Sequence, residues 1–212
     1  MIYLDHAATT APRREVIEAM WPWLTHEFGN ASSHHERGQR AARALDDARE
    51  RIAAVLGASP SEIIFTSGGT EADNLAVKGI AQARRERRPE LNRVLVSSIE
   101  HDAVLESARA LAQYEGFTAV ELPVGSEGFV SADTFRAALT DDDAARTASG
   151  DTSRSSSVAV ASVMLANNEV GTVQNIPEFA RIAAEYGVPL HTDAVQGAAA
   201  FRWTSTHWVS VR

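Results

Sequence analysis

The chain has 212 residues, 44% hydrophobic and 23% charged, an ordinary globular composition that allows one sizeable core or a core plus a small appendage. Its 28 acidic residues outweigh 20 basic ones for a formal charge of −8, and with no basic stripe this argues against nucleic acid as a partner. Cysteine is absent, which excludes disulfides, thiolate metal sites and cysteine nucleophiles within these residues, and no metal site is expected.

Strands and helices alternate along the chain. Arg40 to Leu56 carries Leu45, Ala48, Ile52, Val55 and Leu56 at spacings of three and four, which predicts an amphipathic helix closed by Gly57. Glu62 to Thr66 is a short apolar run ending in Ser-Gly-Gly and reads as a buried strand, followed by a helix from about Thr70 to Arg85. The basic run from Arg84 to Arg88 closes that helix, where cations suit the C-terminal end of the dipole. Arg93 to Ser97 is the next strand, and Val104, Leu105, Ala108, Leu111 and Ala112 form a helical face stopped by Gly116. Thr118 to Leu122 reads as a strand, Ala132 to Leu139 as a short helix and Val158 to Leu165 as a strongly apolar strand. Pro177 opens a helix that Gly187 closes, and Val188 to Thr192 is the last strand.

This alternation predicts crossovers and an α/β fold with a mainly parallel sheet covered on both faces. The polar stretch from Asp141 to Ser157 breaks the pattern and reads as a surface loop rather than a domain linker. No run approaches the ~20 apolar residues that span a bilayer. The segment from Met1 to His6 lacks a basic n-region and an apolar h-region, so no membrane partner and a cytoplasmic location are expected.

Four polar motifs carry the chemistry. Thr66-Ser67-Gly68-Gly69-Thr70-Glu71 stands between a predicted strand and a helix, where backbone N–H groups of the first turn bind phosphate and Thr70 adds a hydroxyl. Gly-Gly turns before helices are also common in purely structural settings. His191-Thr192-Asp193-Ala194-Val195-Gln196 puts a carboxylate at the C-terminal end of a strand, where open α/β sheets bind ligands. Asp193 there either pairs with a protonated ring nitrogen or caps the next helix. Asn167-Asn168-Glu169-Val170-Gly171 follows an apolar strand and either bonds a ligand or satisfies a turn. Glu100-His101 lies where a strand meets a helix; His101 either stacks on a flat ring and moves protons or simply caps the helix. Singly these readings stay open, but all four motifs fall on one edge of one sheet.

Together with Tyr3-Leu4-Asp5-His6-Ala7-Ala8-Thr9-Thr10 and Phe28-Gly29-Asn30-Ala31-Ser32-Ser33, these motifs occur in the order and spacing of the cysteine desulfurases. The sequence resembles that family, within the class V aminotransferase group of fold-type I pyridoxal 5'-phosphate (PLP) enzymes, from Ile2 to about Ala199. The resemblance implies a PLP-transferase fold-type I large domain, truncated before its end, with an N-terminal segment ahead of it, together filling residues 1–212. It implies that Gly69 and Thr70 hold the cofactor phosphate, that His101 stacks on the ring and assists proton transfers, and that Asn168 bonds the ring hydroxyl. Asp193 would pair with the pyridinium nitrogen, Gln196 would contact the same cofactor, and Asn30 would approach the substrate side. The activity implied is removal of sulfur from L-cysteine, leaving alanine and an enzyme persulfide, with a sulfur-acceptor or scaffold protein as partner in iron–sulfur cluster assembly or thiolation. The family forms homodimers.

The sequence also departs from the family. The Schiff-base lysine, expected after the Asp in a Ser-x-His-Lys context, falls past Arg212, and the persulfide cysteine is absent. Lys78 is the chain's one lysine and lies mid-helix. Phe201 to Arg212 has no family likeness, and one codon choice for it, read in a shifted frame, encodes a stretch resembling the family's continuation. A frameshift near Ala200, an out-of-frame tail at 201–212 and a chain without turnover are therefore expected. Two other readings remain: another class V enzyme, such as a selenocysteine lyase or an epimerase, and a non-catalytic interaction protein.

Overall fold

The computed structural model describes residues 2–140 and 156–198. The tail at 201–212 and nearly all of the polar loop at 141–157 lie outside the described residues. The chain forms two compact units that divide after Phe65.

The first unit holds helices α1 (Arg14–Thr25) and α2 (Glu36–Leu56) and a 3-10 turn at Pro60–Glu62. Helix α1 was not foreseen in the sequence, although Val16, Ile17, Met20, Trp21 and Leu24 keep helical spacing; Pro22 inside it disguises the pattern. An Arg14–Glu18 ion pair of 2.6 Å, one turn apart, supports its exposed side. Helix α2 begins where the His35 ring accepts from the Gly38 N–H at 3.3 Å and ends at Gly57. Gly38 is obligatory, because a Cβ there would collide with the carbonyl oxygens of Ser33 and Asn30.

The buried strand expected at Glu62 to Thr66 does not form. Glu62 turns back to accept from the Ser59 N–H at 2.8 Å, which fixes the 3-10 turn. Ile63 to Thr66 then run without a strand partner among the described residues, and Ile64 remains 70% exposed. An apolar run becomes a strand only where a ladder partner takes its N–H and C=O groups.

The second unit contains α3 (Gly69–Arg87), β1 (Arg93–Ser97), α4 (Asp102–Glu115), β2 (Thr118–Leu122), α5 (Ala132–Thr140), β3 (Val158–Ser162), α6 (Ile176–Glu185) and β4 (Leu190–His191). The four strands form one parallel sheet in the order β2-β1-β3-β4. Right-handed crossovers then require α4 on one face and α5 and α6 on the other. Val94 and Val96 of β1 pack with Val77 and Ala81 of α3 and Val104, Ala108 and Leu111 of α4. Phe135 of α5 and Phe179 of α6 meet edge-on at 5.1 Å.

Strands β3 and β4 are shorter than the sequence suggested, at 158–162 and 190–191. Their backbones nevertheless stay tied beyond the regular ladder. Val163 and Leu165 donate their N–H groups to the carbonyls of His191 (3.1 Å) and Asp193 (2.8 Å). Among the described residues no helix is long and apolar enough to cross a membrane.

Candidate functional site

From β1 the chain crosses to β2 on one side, and from β3 it crosses to β4 on the other. The two connections therefore part between β1 and β3, and such a switch point leaves a crevice at the C-terminal ends of the strands. A cleft of about 410 Å³ lies there, lined by Ile99, Glu100 and His101 from the loop after β1, by Asp102 at the start of α4, and by Asn167, Asn168, Glu169 and Val170 from the loop after β3.

His101 is the N-cap of α4, and its Nδ1 accepts from the Ala103 N–H at 3.1 Å. That bond occupies Nδ1 as an acceptor, so the proton of the neutral ring belongs on Nε2. Capping and a cleft position thus coexist, because the cap uses one nitrogen only.

The two adjacent asparagines divide their work. Asn167 is buried; its Oδ1 accepts from the N–H groups of Glu169 and Val170, each at 2.9 Å, and its Nδ2 donates to the Ile99 carbonyl at 2.9 Å. It pins the loop after β3 to the loop after β1. Asn168 is half-buried, and its Nδ2 donates to the neighbouring Glu169 carboxylate at 3.1 Å.

Asp193 follows β4 and is 7% exposed; its Oδ1 accepts from the Val195 N–H at 2.9 Å. The buried hydroxyl of Thr192 beside it has no hydrogen-bond partner among the described residues. Gly68 approaches α3 in fully extended backbone, and no side chain among the described residues caps the helix. The N–H groups of Gly69 and Thr70 are therefore directed outward without an intrahelical acceptor. Glu71 does not fill this position: its carboxylate turns back to the Ser67 N–H (2.7 Å) and hydroxyl (2.6 Å), bonds that hold its pKa below the usual carboxylate range.

Gly69 also joins two motifs. A Cβ at this position would lie 3.0 Å from Cγ2 of Val195, so the start of α3 rests on the Asp193-Ala194-Val195-Gln196 turn. Gln196 is exposed on that turn, which closes through the Gly197 and Ala198 N–H groups onto the Ala194 carbonyl. Asn30 belongs to the first unit, where it is exposed and its Oδ1 accepts from the Ser32 N–H at 2.9 Å.

Glu100 was seen in the sequence only as the neighbour of His101. In the structure it is 6% exposed, and its Oε1 accepts from the Ser97 hydroxyl (2.8 Å) and the Met164 N–H (2.7 Å). It thereby ties the end of β1 to the end of β3 beneath the cleft. Burial pushes its pKa up to about 7, against the lowering effect of the Ser97 bond, the His191 ring and the Met164 N–H, while Asp193 adds to the rise. Its Oε2 is buried without a partner among the described residues. Ser97 is local, three residues away, but the Met164 N–H comes from 64 residues along the chain, so the sequence does not signal the tie between the strands.

The donor set fits a flat, anionic ligand with a basic ring nitrogen. It offers an uncapped helix N-terminus, a buried carboxylate at the next loop, an orphaned buried hydroxyl beside that carboxylate, and a histidine and an asparagine at the rim of a cleft. Among the described residues no group of His, Asp and Glu side chains is arranged to hold a metal ion.

A family model described as aminotransferase class-V matches residues 2–203. An IscS-like cysteine desulfurase of Mycobacterium tuberculosis is 48% identical over 196 residues, 92% of this chain and 46% of that protein. A cysteine desulfurase IscS of Dictyoglomus turgidum is 45% identical over 195 residues, 92% of this chain and 45% of that one. Among solved structures, a NifS-like protein superposes with a TM-score of 0.82 at 33% identity, covering 96% of this chain and 51% of its own. A structure described as SspA in complex with cysteine gives 0.83 at 34% identity, covering 98% and 54%. The chain spans about half the length of the curated relatives it matches. With a family model covering nearly all of its residues and the crevice of its parallel sheet furnished as described, the chain belongs to the class V aminotransferase family.

Proposed function

We propose that the chain carries the cofactor-binding part of a PLP-dependent cysteine desulfurase. The observation that carries the reading is the junction at Gly69: it sets an uncapped helix start against the loop that bears the buried Asp193. The near half-identity to proteins named cysteine desulfurases supports the same reading. When bound, PLP supplies an electron sink for carbanion chemistry at an amino acid.

The chain's own residues do the holding. The Gly69 and Thr70 N–H groups and the Thr70 hydroxyl take the phosphate, with the α3 dipole favouring its charge. Asp193 keeps the ring nitrogen protonated. Asn168 donates to the ring hydroxyl, leaving Asn167 to hold the loop. His101 would stack on the ring and move a proton at Nε2, since Nδ1 is engaged by Ala103. Gln196 adds a contact to the cofactor, and Asn30 serves the substrate side.

The proposed substrate is L-cysteine; the solved SspA structure is described as a complex with cysteine. Sulfur delivery to an acceptor or scaffold protein, for iron–sulfur cluster assembly or thiolation, and a homodimeric enzyme complete the proposal. The given residues contain no cysteine to receive sulfur. Lys78 is held by Asn74, its Nζ donating at 2.7 Å one turn along α3. These residues are therefore expected to bind PLP reversibly and not to turn over cysteine.

The test is a PLP titration of the 212-residue chain, followed by borohydride reduction and peptide mapping. Saturable binding that Asp193→Ala weakens, with no adduct on Lys78, is the expected result. No binding, or a reduced adduct on Lys78, contradicts the assignment of roles.

A further inference from the structure

A line of polar side chains that the proposed chemistry leaves unused crosses the second unit between α3 and β3. The His191 ring, on β4, meets the Ser162 hydroxyl at 2.9 Å through Nδ1 and faces Asp73 Oδ1 at 3.5 Å through Nε2. Ser162 is on β3, directly in register with His191, and is fully buried; Asp73 is on α3 and only 5% exposed. If the Ser162 hydroxyl donates to Nδ1, the ring presents its Nε2–H to the Asp73 carboxylate. A carboxylate that far from water is costly to bury unless something answers its charge, and His191 is what the structure provides.

The positions of these two residues give the contact a consequence. Asp73 follows Thr70 by one helical turn, so it moves with the first turn of α3. His191 precedes Asp193 by two residues, so it moves with the carboxylate loop. We infer that Asp73 and His191 are positioning residues: together they fix the distance between the phosphate-holding start of α3 and the carboxylate of Asp193. The inference rests on the PLP reading above. Gly69 against Val195 sets how closely the two segments approach, and the Asp73–His191 pair, braced by Ser162, keeps them from sliding past each other. Glu100, from the loop after β1, is a further charged group that interacts with the ring.

A purely structural pair and a positioning pair differ in one measurable respect. A ligand gripped at both ends gains affinity only while the two grips are correctly spaced, whereas a ligand gripped at one end is indifferent to the spacing. Binding of PLP, of pyridoxal and of inorganic phosphate is to be measured by calorimetry on the 212-residue chain and on Asp73→Asn and His191→Gln. The expected result is a loss of roughly tenfold or more in PLP affinity, with pyridoxal and phosphate binding within about twofold of the starting chain. Unchanged PLP affinity in both variants overturns the inference, as does an equal loss for all three ligands, which would mean local damage. Should Asp73→Asn fail to fold, Ser162→Ala releases the ring without stranding a buried charge and makes the same comparison. Failure of the unmodified chain to bind PLP sinks the cofactor reading itself and is seen before any variant is made.

Discussion

The two units of this chain solve the burial problem unequally. In the second unit, parallel strands give helices a shared floor, and Leu95, Val96, Leu111, Phe135, Leu139 and Ile182 are all removed from water. In the first unit α1 buries no residue, and α2 buries only Gly38, Ala41 and Ala53. Val16, Met20, Trp21, Leu24, Val55 and Ile64 remain exposed there. An amphipathic helix is stabilised mainly by what covers its apolar stripe, and helical periodicity alone does not create that cover. The chemistry follows the same division, with the cleft and Asp193 in the unit that holds the sheet and its buried core.

Core truncation is expected to separate the two units most severely. Phe135→Ala is expected to lower the stability of the second unit by roughly 3–5 kcal/mol in urea unfolding, whereas Trp21→Ala on exposed α1 stays within about 0.5 kcal/mol. Equal losses would mean that the two units share their stability.

Next in size is the buried carboxylate. Glu100 has a folded pKa of about 7, above its ordinary 4.5, so the folded state holds the proton more tightly. The stabilisation is fully present below pH ~4.5 and is lost as pH rises through about 7, amounting to on the order of 3 kcal/mol. Glu100→Gln is expected to flatten that part of the pH–stability curve and to be the more stable form at pH ~8. Unfolding midpoints at the two ends of the range decide it; parallel pH slopes for the two proteins would contradict the assignment.

A smaller effect sharpens the view of the site. Gly69→Ala places a methyl 3.0 Å from Val195, so the start of α3 must shift or Val195 must yield. A PLP affinity loss of several-fold, about 1 kcal/mol, is expected, with recovery in Gly69→Ala/Val195→Ala. A loss that the second change does not relieve would place the cause elsewhere.

Much of this was legible beforehand because the signals are local. Leu45 to Leu56, Val94 to Ser97 and Val104 to Ala112 carry their periodicity in their own residues, and Gly57 and Gly116 mark where α2 and α4 end. The motifs at Gly69, His101, Asn168 and Asp193 were visible as polar breaks after apolar runs. What escaped depends on partners distant in sequence. Ile63 to Phe65 have strand composition without a ladder to join among the described residues, and Pro22 hid α1. Glu100 meets Met164, and Asp73 meets His191, only because the sheet order brings those segments together. The resemblance singled out Asn168, but the loop-holding role of Asn167 shows only once Ile99 is seen beside it.

In the proposed site one ligand bridges the start of α3 and the loops after β1, β3 and β4. Hydrogen–deuterium exchange of the 212-residue chain with and without PLP tests it directly. Protection is expected at 67–71, 99–103, 166–170 and 193–197, with α5 and α6 unchanged. Protection that leaves those four segments untouched while PLP is bound would place the site elsewhere and contradict the account.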